Sequence, residues 1–303
     1  MKVLVAGATS VPGPPVIRAL CEQGHDVVGL TRSSAKAAAI AESGARPLVV
    51  DVLDAAQTVD ALAEVSPDVV VSLLITLPKR GPMRMRDFEP TRMLWDRGVP
   101  NLVTAAQRAG VRRIVAESVI FAYGYAPTGD VMLDESDPYP GPPPRRGAPM
   151  LEAMRGMERA VLSSGDTTAT KGIVLRYGAF YGRNVPHAEM ITTLVKWWAL
   201  PVPGGDGILS WIDIDDLARA TVAAIDHGRG GQIYNIVDDT PRSFRDYTTD
   251  LATRLHRPRP ITVPNRLVRL AAPYMAEAFG TARLPVSNAK AKAELRWTPA
   301  DRR

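Results

Sequence analysis

The run from Asp68 to Ile75, DVVVSLLI, constrains this chain more than any other feature, because its apolar residues are nearly continuous instead of alternating with polar ones. A strand with one wet face alternates. Only a strand covered on both faces loses the alternation, which is the habit of parallel sheets flanked by helices. Neighbouring segments repeat the theme. Lys2–Ala6 is a short apolar run ending at Gly7, Val16–Gln23 has helical spacing, and DVVGL follows Gly24. Then come a strand at Pro47–Val50, a helix from Asp54 to Val65, the Asp68–Ile75 run, a helix through Asn101–Ala109 and a strand at Arg113–Ser118. Strands and helices alternating in this way predict an α/β fold with a doubly wound parallel sheet.

Beyond Lys171 the pattern continues with a strand, KGIVLRY, helices around 188–199 and 214–226, a strand, QIYNI, and helices near 243–256 and 264–278. Between the two halves, Tyr123–Pro149 is dense in Pro and Gly, including PYPGPPP at 138–144, and reads as a long loop or lid over the working edge of the sheet. No apolar stretch approaches the roughly 18 to 20 residues needed to span a bilayer, and MKVLVAGATS lacks the apolar region of a signal peptide. A cytoplasmic protein without a membrane partner is expected. Cys21 is the sole cysteine, and His25, His187, His227 and His256 are scattered without ligand spacing, so neither a disulfide nor a metal site is expected. The net charge of +5 comes from arginines along the chain, which reads as surface solvation and not as a nucleic-acid arm. The expected partner is a small-molecule substrate, with a homodimer the one macromolecular assembly left open.

After the first strand comes Gly7-Ala-Thr-Ser-Val-Pro-Gly13, small residues where the backbone turns sharply into a helix whose N-terminus can hold a pyrophosphate. Further segments follow in order: Thr31-Arg32-Ser33, Asp51-Val52, NLVTAAQRAGVRRIVAESV at 101–119, Tyr123-Gly124, LRYGAFYG at 175–182 and SWIDIDDLARA at 210–220. Together these resemble an atypical extended short-chain dehydrogenase/reductase of the NAD-dependent epimerase/dehydratase family, from residue 1 to about Trp297. The resemblance implies a Rossmann dinucleotide-binding domain over residues 1–170. It implies for 171–303 a mixed region that completes the sheet and forms a smaller substrate lobe. It further implies that Gly7, Thr9, Ser10, Val11 and Gly13 form the dinucleotide loop, that Asp51 and Val52 border the adenine, that Leu73 and Leu74 lie along the cofactor, and that Tyr177 meets it. No Asp or Glu ends the second strand. Arg32, with Ser33 beside it, can pair with a 2′-phosphate, which favours NADP while leaving NAD open. Ser10 stands where the family has its middle glycine and Pro12 removes an N–H, and both bear on how the pyrophosphate is held.

The family's acid and its helper form Tyr-x-x-x-Lys on one helix face, followed four residues on by Glu. Counting back from Glu158 puts Met154 at the lysine position and Met150 at the tyrosine position, and neither can move a proton. Met150, Met154, Met157 and Val161 make an apolar stripe that serves equally as helix core or pocket wall. Remaining candidates for acid–base work near the strand ends are Glu117, Ser118, Tyr123 and His187, each with a plain structural alternative. Leu209 precedes Ser210-Trp-Ile-Asp213 where sugar-nucleotide relatives place an arginine, so a substrate without a pyrophosphate is expected. Met150, Met154, Tyr181, Trp197 and Trp211 would suit an apolar or aromatic, natural-product-like compound. Three activities stay open: an NADP-dependent reductase or dehydrogenase with a relocated proton donor, a non-redox cyclase, isomerase or lyase on the same scaffold, and a non-catalytic dinucleotide sensor.

Overall fold

The computed structural model describes residues 1–78, 81–125, 131–137, 148–166 and 168–300. In chain order the first half contains β1 (Lys2–Ala6), α1 (Gly13–Glu22), β2 (Asp26–Thr31), α2 (Ala37–Glu42), β3 (Arg46–Val49), α3 (Ala55–Val65), β4 (Val69–Ser72), α4 (Glu89–Met93), α5 (Val99–Arg108), β5 (Arg113–Val119) and α6 (Ala148–Leu162). There follow β6 (Lys171–Tyr177), β7 (Ala179–Tyr181), α7 (Pro186–Lys196), β8 (Pro201–Pro203), β9 (Ile208–Leu209), β10 (Trp211–Asp213), α8 (Ile214–His227), β11 (Gln232–Ile236), α9 (Phe244–Arg254), β12 (Ile261–Val263), α10 (Asn265–Ala271), α11 (Pro273–Gly280), β13 (Arg283–Leu284) and α12 (Ala289–Leu295).

Seven of these strands form one sheet in the order β11-β6-β5-β4-β1-β2-β3, all parallel, with Val3 opposite Val27 and Val69, Val71 opposite Val115, and Val115 opposite Ile173. Both faces are buried, which accounts for the continuous apolar runs. Val3, Val5, Val71, Val115, Ile173 and Leu175 pack toward α1, α8 and α12. Their neighbours Leu4, Ala6, Val70, Ile114, Ala116 and Val174 pack toward α3, α5 and α6. Strand order places the C-terminal ends of β1, β4, β5 and β6 side by side on one edge, the ligand-binding edge of such sheets. Strands β6 and β11 and helices α8 and α12 come from the second half of the chain, and from the same half residues of α7, β8 to β10, α9 and β13 gather around Trp211, Phe244 and Tyr247 as a separate apolar cluster.

Element bounds from periodicity agree with the structure to within a few residues, and β6 and β11 span KGIVLRY and QIYNI. The helix expected over 264–278 is instead two. Pro273 cannot donate to the preceding turn, so α10 ends at Ala271 and α11 starts afresh. The strand expected over 68–75 spans only Val69–Ser72; Leu73 N–H still donates to the Ala6 carbonyl (2.8 Å), and the chain leaves the sheet after it. Most of the segment read as a lid, 126–130 and 138–147, lies outside the described residues. Its end, from Ala148, is the start of α6.

Candidate active site

Gly7 closes β1 with φ +83°, where a Cβ would lie 2.1 Å from the Leu73 carbonyl oxygen. A Cβ on Gly13 would meet the Ala8 carbonyl oxygen at 2.3 Å. Only glycine permits both approaches, and they fold residues 7–13 into a tight loop in which Ser10 N–H donates to Gly7 O (2.8 Å) and Gly13 N–H to Ser10 O (3.1 Å). Prolines at 12, 14 and 15 then start α1. Proline suits the first helical turn, but it strips out the N–H groups that make such an end an anion site. Of residues 12–15 only Gly13 keeps an N–H, already donated. The Ser10 hydroxyl, by contrast, is buried without a hydrogen-bond partner among the described residues. A close-approach cradle plus an orphaned donor fits a pyrophosphate, with a hydroxyl in place of missing amides. Arg32 ends β2 exposed, with no ion pair among the described residues. Asp51 turns the chain after β3 by accepting from Leu53 N–H (3.0 Å), and Asn101 Nδ2 donates to the Val52 carbonyl (3.0 Å). Thr9, Val11 and Ser33 flank these loops, half-buried.

The end of β5 sends adjacent side chains to opposite faces. Ser118 faces α6, where its hydroxyl donates to Glu158 Oε1 (2.6 Å). Arg176 on β6 grips the same carboxylate with Nε (2.9 Å) and Nη2 (2.7 Å), and its guanidinium lies 4.6 Å from the Tyr123 ring centroid. The one hydroxyl proton of Tyr123 is shared between two acceptors, the Asp134 carbonyl (2.8 Å) and Asn235 Oδ1 (3.1 Å), and burial pushes its pKa up to about 12. Both hydroxyls are therefore committed to structure. Glu117 faces the other way, toward the α1/α8 cluster that holds Val115 and Tyr177. It is 3% exposed, neither carboxylate oxygen has a hydrogen-bond partner among the described residues, and burial pushes its pKa up to about 8, so it is a neutral acid at pH 7. Tyr177 is fully buried, its hydroxyl bonded to Thr221 (2.7 Å). His187, near the start of α7, is held by a hydrogen bond between Nε2 and the Phe180 carbonyl (2.8 Å). A carbonyl only accepts, so Nε2 carries the proton, and burial lowers the ring's pKa and keeps it neutral.

Met150 and Met154 are buried in the cluster behind α6. Against that cluster pack Met85, Phe88 and Phe121, and the same three residues also pack against Tyr125, Tyr274 and Ala278. Phe121 reaches the lobe cluster too, so it marks the place where sheet, lobe and α11 meet. Around it Phe121 stacks on Tyr125 (5.0 Å), and Phe88 meets Tyr274 edge-on (4.8 Å). Sequence reasoning did not find Phe88, Phe121, Tyr125 or Tyr274. Phe121 and Tyr125 had a four-residue spacing to betray them, whereas Tyr274 is brought in from far along the chain. Trp211 stacks on Tyr247 (4.5 Å) and donates to the Arg242 carbonyl (3.0 Å), while Tyr181 donates to Asp238 (2.9 Å). These belong to the lobe's own core. Trp197 is 80% exposed at the end of α7. No group of three or more His, Cys, Asp or Glu among the described residues is placed to hold a metal, and none of the described helices is long and apolar enough to cross a membrane.

A parallel sheet with a glycine cradle at one strand end and a buried Ser–Glu–Arg network beneath the adjoining helix defines a dinucleotide-type α/β enzyme scaffold. The chain belongs to the NAD dependent epimerase/dehydratase family, which it matches over residues 3–237. It is similar to a 3-diazoavenalumate denitrifying reductase from a Streptomyces species, with 36% identity over 99% of this chain and 96% of that one. Among solved structures it is similar in fold to a dTDP-glucose 4,6-dehydratase from Streptomyces venezuelae with NAD bound (TM-score 0.79, 22% identity, covering 99% of this chain and 92% of that one). A UDP-glucose 4-epimerase from Thermotoga maritima gives a TM-score of 0.78 at 20% identity, covering 99% and 94%.

Proposed function

We propose that this protein is a nicotinamide-dependent reductase that delivers hydride to an electron-poor aromatic carbon whose reduction needs no enzyme-supplied proton, a diazo-arene being the substrate class. One observation carries this reading: Met150 and Met154 occupy the helix face where the family's phenol and ammonium are expected, and both are buried among apolar side chains. Reducing a carbonyl creates an alkoxide that must be protonated, and the candidates for that task are poorly disposed. The hydroxyls of Ser118 and Tyr123 are engaged, His187 is neutral with its Nε2 proton on a carbonyl, and Glu117 faces away from α6. The reduced nicotinamide supplies hydride when bound, and an arenediazonium reacts with it as Ar–N₂⁺ + NAD(P)H → Ar–H + N₂ + NAD(P)⁺, in which no proton is consumed. The similarity to a reductase whose name specifies a diazo substrate and loss of nitrogen supports the same chemistry.

The chain's own residues then bind and orient. Gly7 and Gly13 would admit the pyrophosphate, and the Ser10 hydroxyl would donate to it. Arg32 selects NADP over NAD, a charge-assisted contact worth on the order of 1.5 to 3 kcal/mol, or about tenfold or more in affinity. Met85, Phe88, Phe121, Met150 and Met154 supply an apolar, polarisable wall that excludes water from a reactive cation and favours a flat aromatic ring. The test is turnover of a 3-diazo-4-hydroxycinnamate with NADPH deuterated at C4. One N₂ should be released per cofactor oxidised, with deuterium on the ring carbon that bore nitrogen. Ring hydrogen drawn from solvent, or no cofactor oxidation, would defeat the proposal.

A further inference from the structure

Basic residues occur along the whole chain, but the excess of +5 over the acidic ones is not spread evenly, as the sequence reading expected, and equals the charge of a single stretch. Residues 254–271, RLHRPRPITVPNRLVRLA, hold five arginines and no acidic residue, which leaves 32 basic against 32 acidic residues in the rest of the chain. Arg254, Arg257, Arg259, Arg266 and Arg269 are all exposed, and none forms an ion pair among the described residues. The same stretch exposes Ile261 (50%), Leu267 (52%) and Leu270 (80%), and α10 buries none of its residues. Pairing of β12 with β8 sets Ile261 opposite Pro201, beside the end of α7, where Trp197 and Trp198 are also exposed. The Trp198 indole donates to the Arg259 carbonyl (3.0 Å), which joins the two segments into one surface.

We propose that this surface seats the protein on an anionic lipid surface. Its exposed side chains are apolar groups and cationic donors, apart from the Thr262 hydroxyl and the His256 imidazole. The one amide in the stretch, Asn265, spends its Nδ2 inward on the Ala276 carbonyl (3.1 Å). A protein partner would meet a docking face carrying both donors and acceptors, as protein interfaces do. A phospholipid surface offers hydrocarbon below and phosphate above, which matches leucine and tryptophan beside arginine. A second copy docking through the same patch is opposed by like charge. Interfacial seating needs no spanning helix.

The test is co-sedimentation with vesicles of phosphatidylcholine alone or with about 30% phosphatidylglycerol. The protein should bind only the anionic vesicles, and binding should fall steeply as salt rises from about 0.1 to 1 M. Arg266→Glu with Arg269→Glu should weaken binding at least tenfold, since each arginine near such a surface is worth roughly fivefold. Leu267→Ser with Leu270→Ser should also weaken it about tenfold or more, with circular dichroism and turnover unchanged in both double variants. No binding to anionic vesicles, or binding indifferent to both pairs, overturns the proposal. Binding to polyglutamate that equals vesicle binding and survives the leucine changes assigns the surface to an acidic protein instead, and overturns it equally.

Discussion

Glu117 is the least comfortable residue in the molecule, a carboxyl group fixed in an apolar core with no hydrogen-bond partner for either oxygen among the described residues. Its pKa is raised from 4.5 to about 8 by burial, so the folded protein binds its proton more tightly than the unfolded chain does. The stabilisation is fully present below about pH 4.5 and is lost as pH rises through about 8, an effect on the order of 5 kcal/mol. Denaturant titrations at pH 5 and pH 8 should show the wild type losing stability across that window, while Glu117→Gln loses far less. Parallel curves for the two proteins would mean that the carboxyl group finds a partner or water. From sequence, Glu117 and Ser118 looked alike, two polar residues ending one strand. Their difference lies in the alternation of β5, which sends one to the Glu158–Arg176 pair and the other into hydrocarbon. Tyr123 was legible as a candidate but its role was not, since Asn235, one of the two acceptors that share its proton, lies 112 residues away.

At the scale of elements, α6 joins the two halves of the site. One turn presents Met150 and Met154, and the next carries Glu158, fully buried against Arg176. A buried ion pair adds little net stability, but removing one partner strands the other charge. Glu158→Leu should therefore cost about 3 to 5 kcal/mol by denaturant unfolding, and adding Arg176→Met should recover much of the loss. If the double variant is no better than the single, the pair is not what holds α6 to the sheet. The helix itself was readable from its stripe, whereas 85–98 was not read as helical at all. That stretch mixes arginine with methionine, contains Pro90, and includes a π-helical turn at Leu94–Gly98 that shifts the apolar residues off a 3.6-residue period. Strands β7 to β10 and β13 are only two or three residues long, too short for any periodicity to announce them.

At the scale of the whole molecule, dinucleotide binding would use loops from β1, β2, β3 and β4, elements that strand order alone makes neighbours. That much was legible, because a parallel sheet has one ligand edge and the glycine loop says where it begins. The aromatic junction at Phe121 was hidden, since it requires α11 to return across the lobe. A cofactor that clamps several loops at once should stabilise the folded state as a unit, by RT ln(1 + [L]/Kd), about 2.7 kcal/mol at a hundredfold excess over Kd. Thermal unfolding with equal, saturating NADPH and NADH should therefore show a rise in Tm of several degrees with NADPH and a smaller one with NADH. Arg32 is exposed and forms no ion pair among the described residues, so Arg32→Ala should leave the ligand-free Tm unchanged. It should lower the NADPH shift to the level of NADH, because only the 2′-phosphate contact is lost. Equal shifts with both cofactors in the wild type would remove Arg32 as the selector. A shift with neither would mean that the prolines opening α1 have cost the loop its grip and that the Ser10 hydroxyl does not restore it.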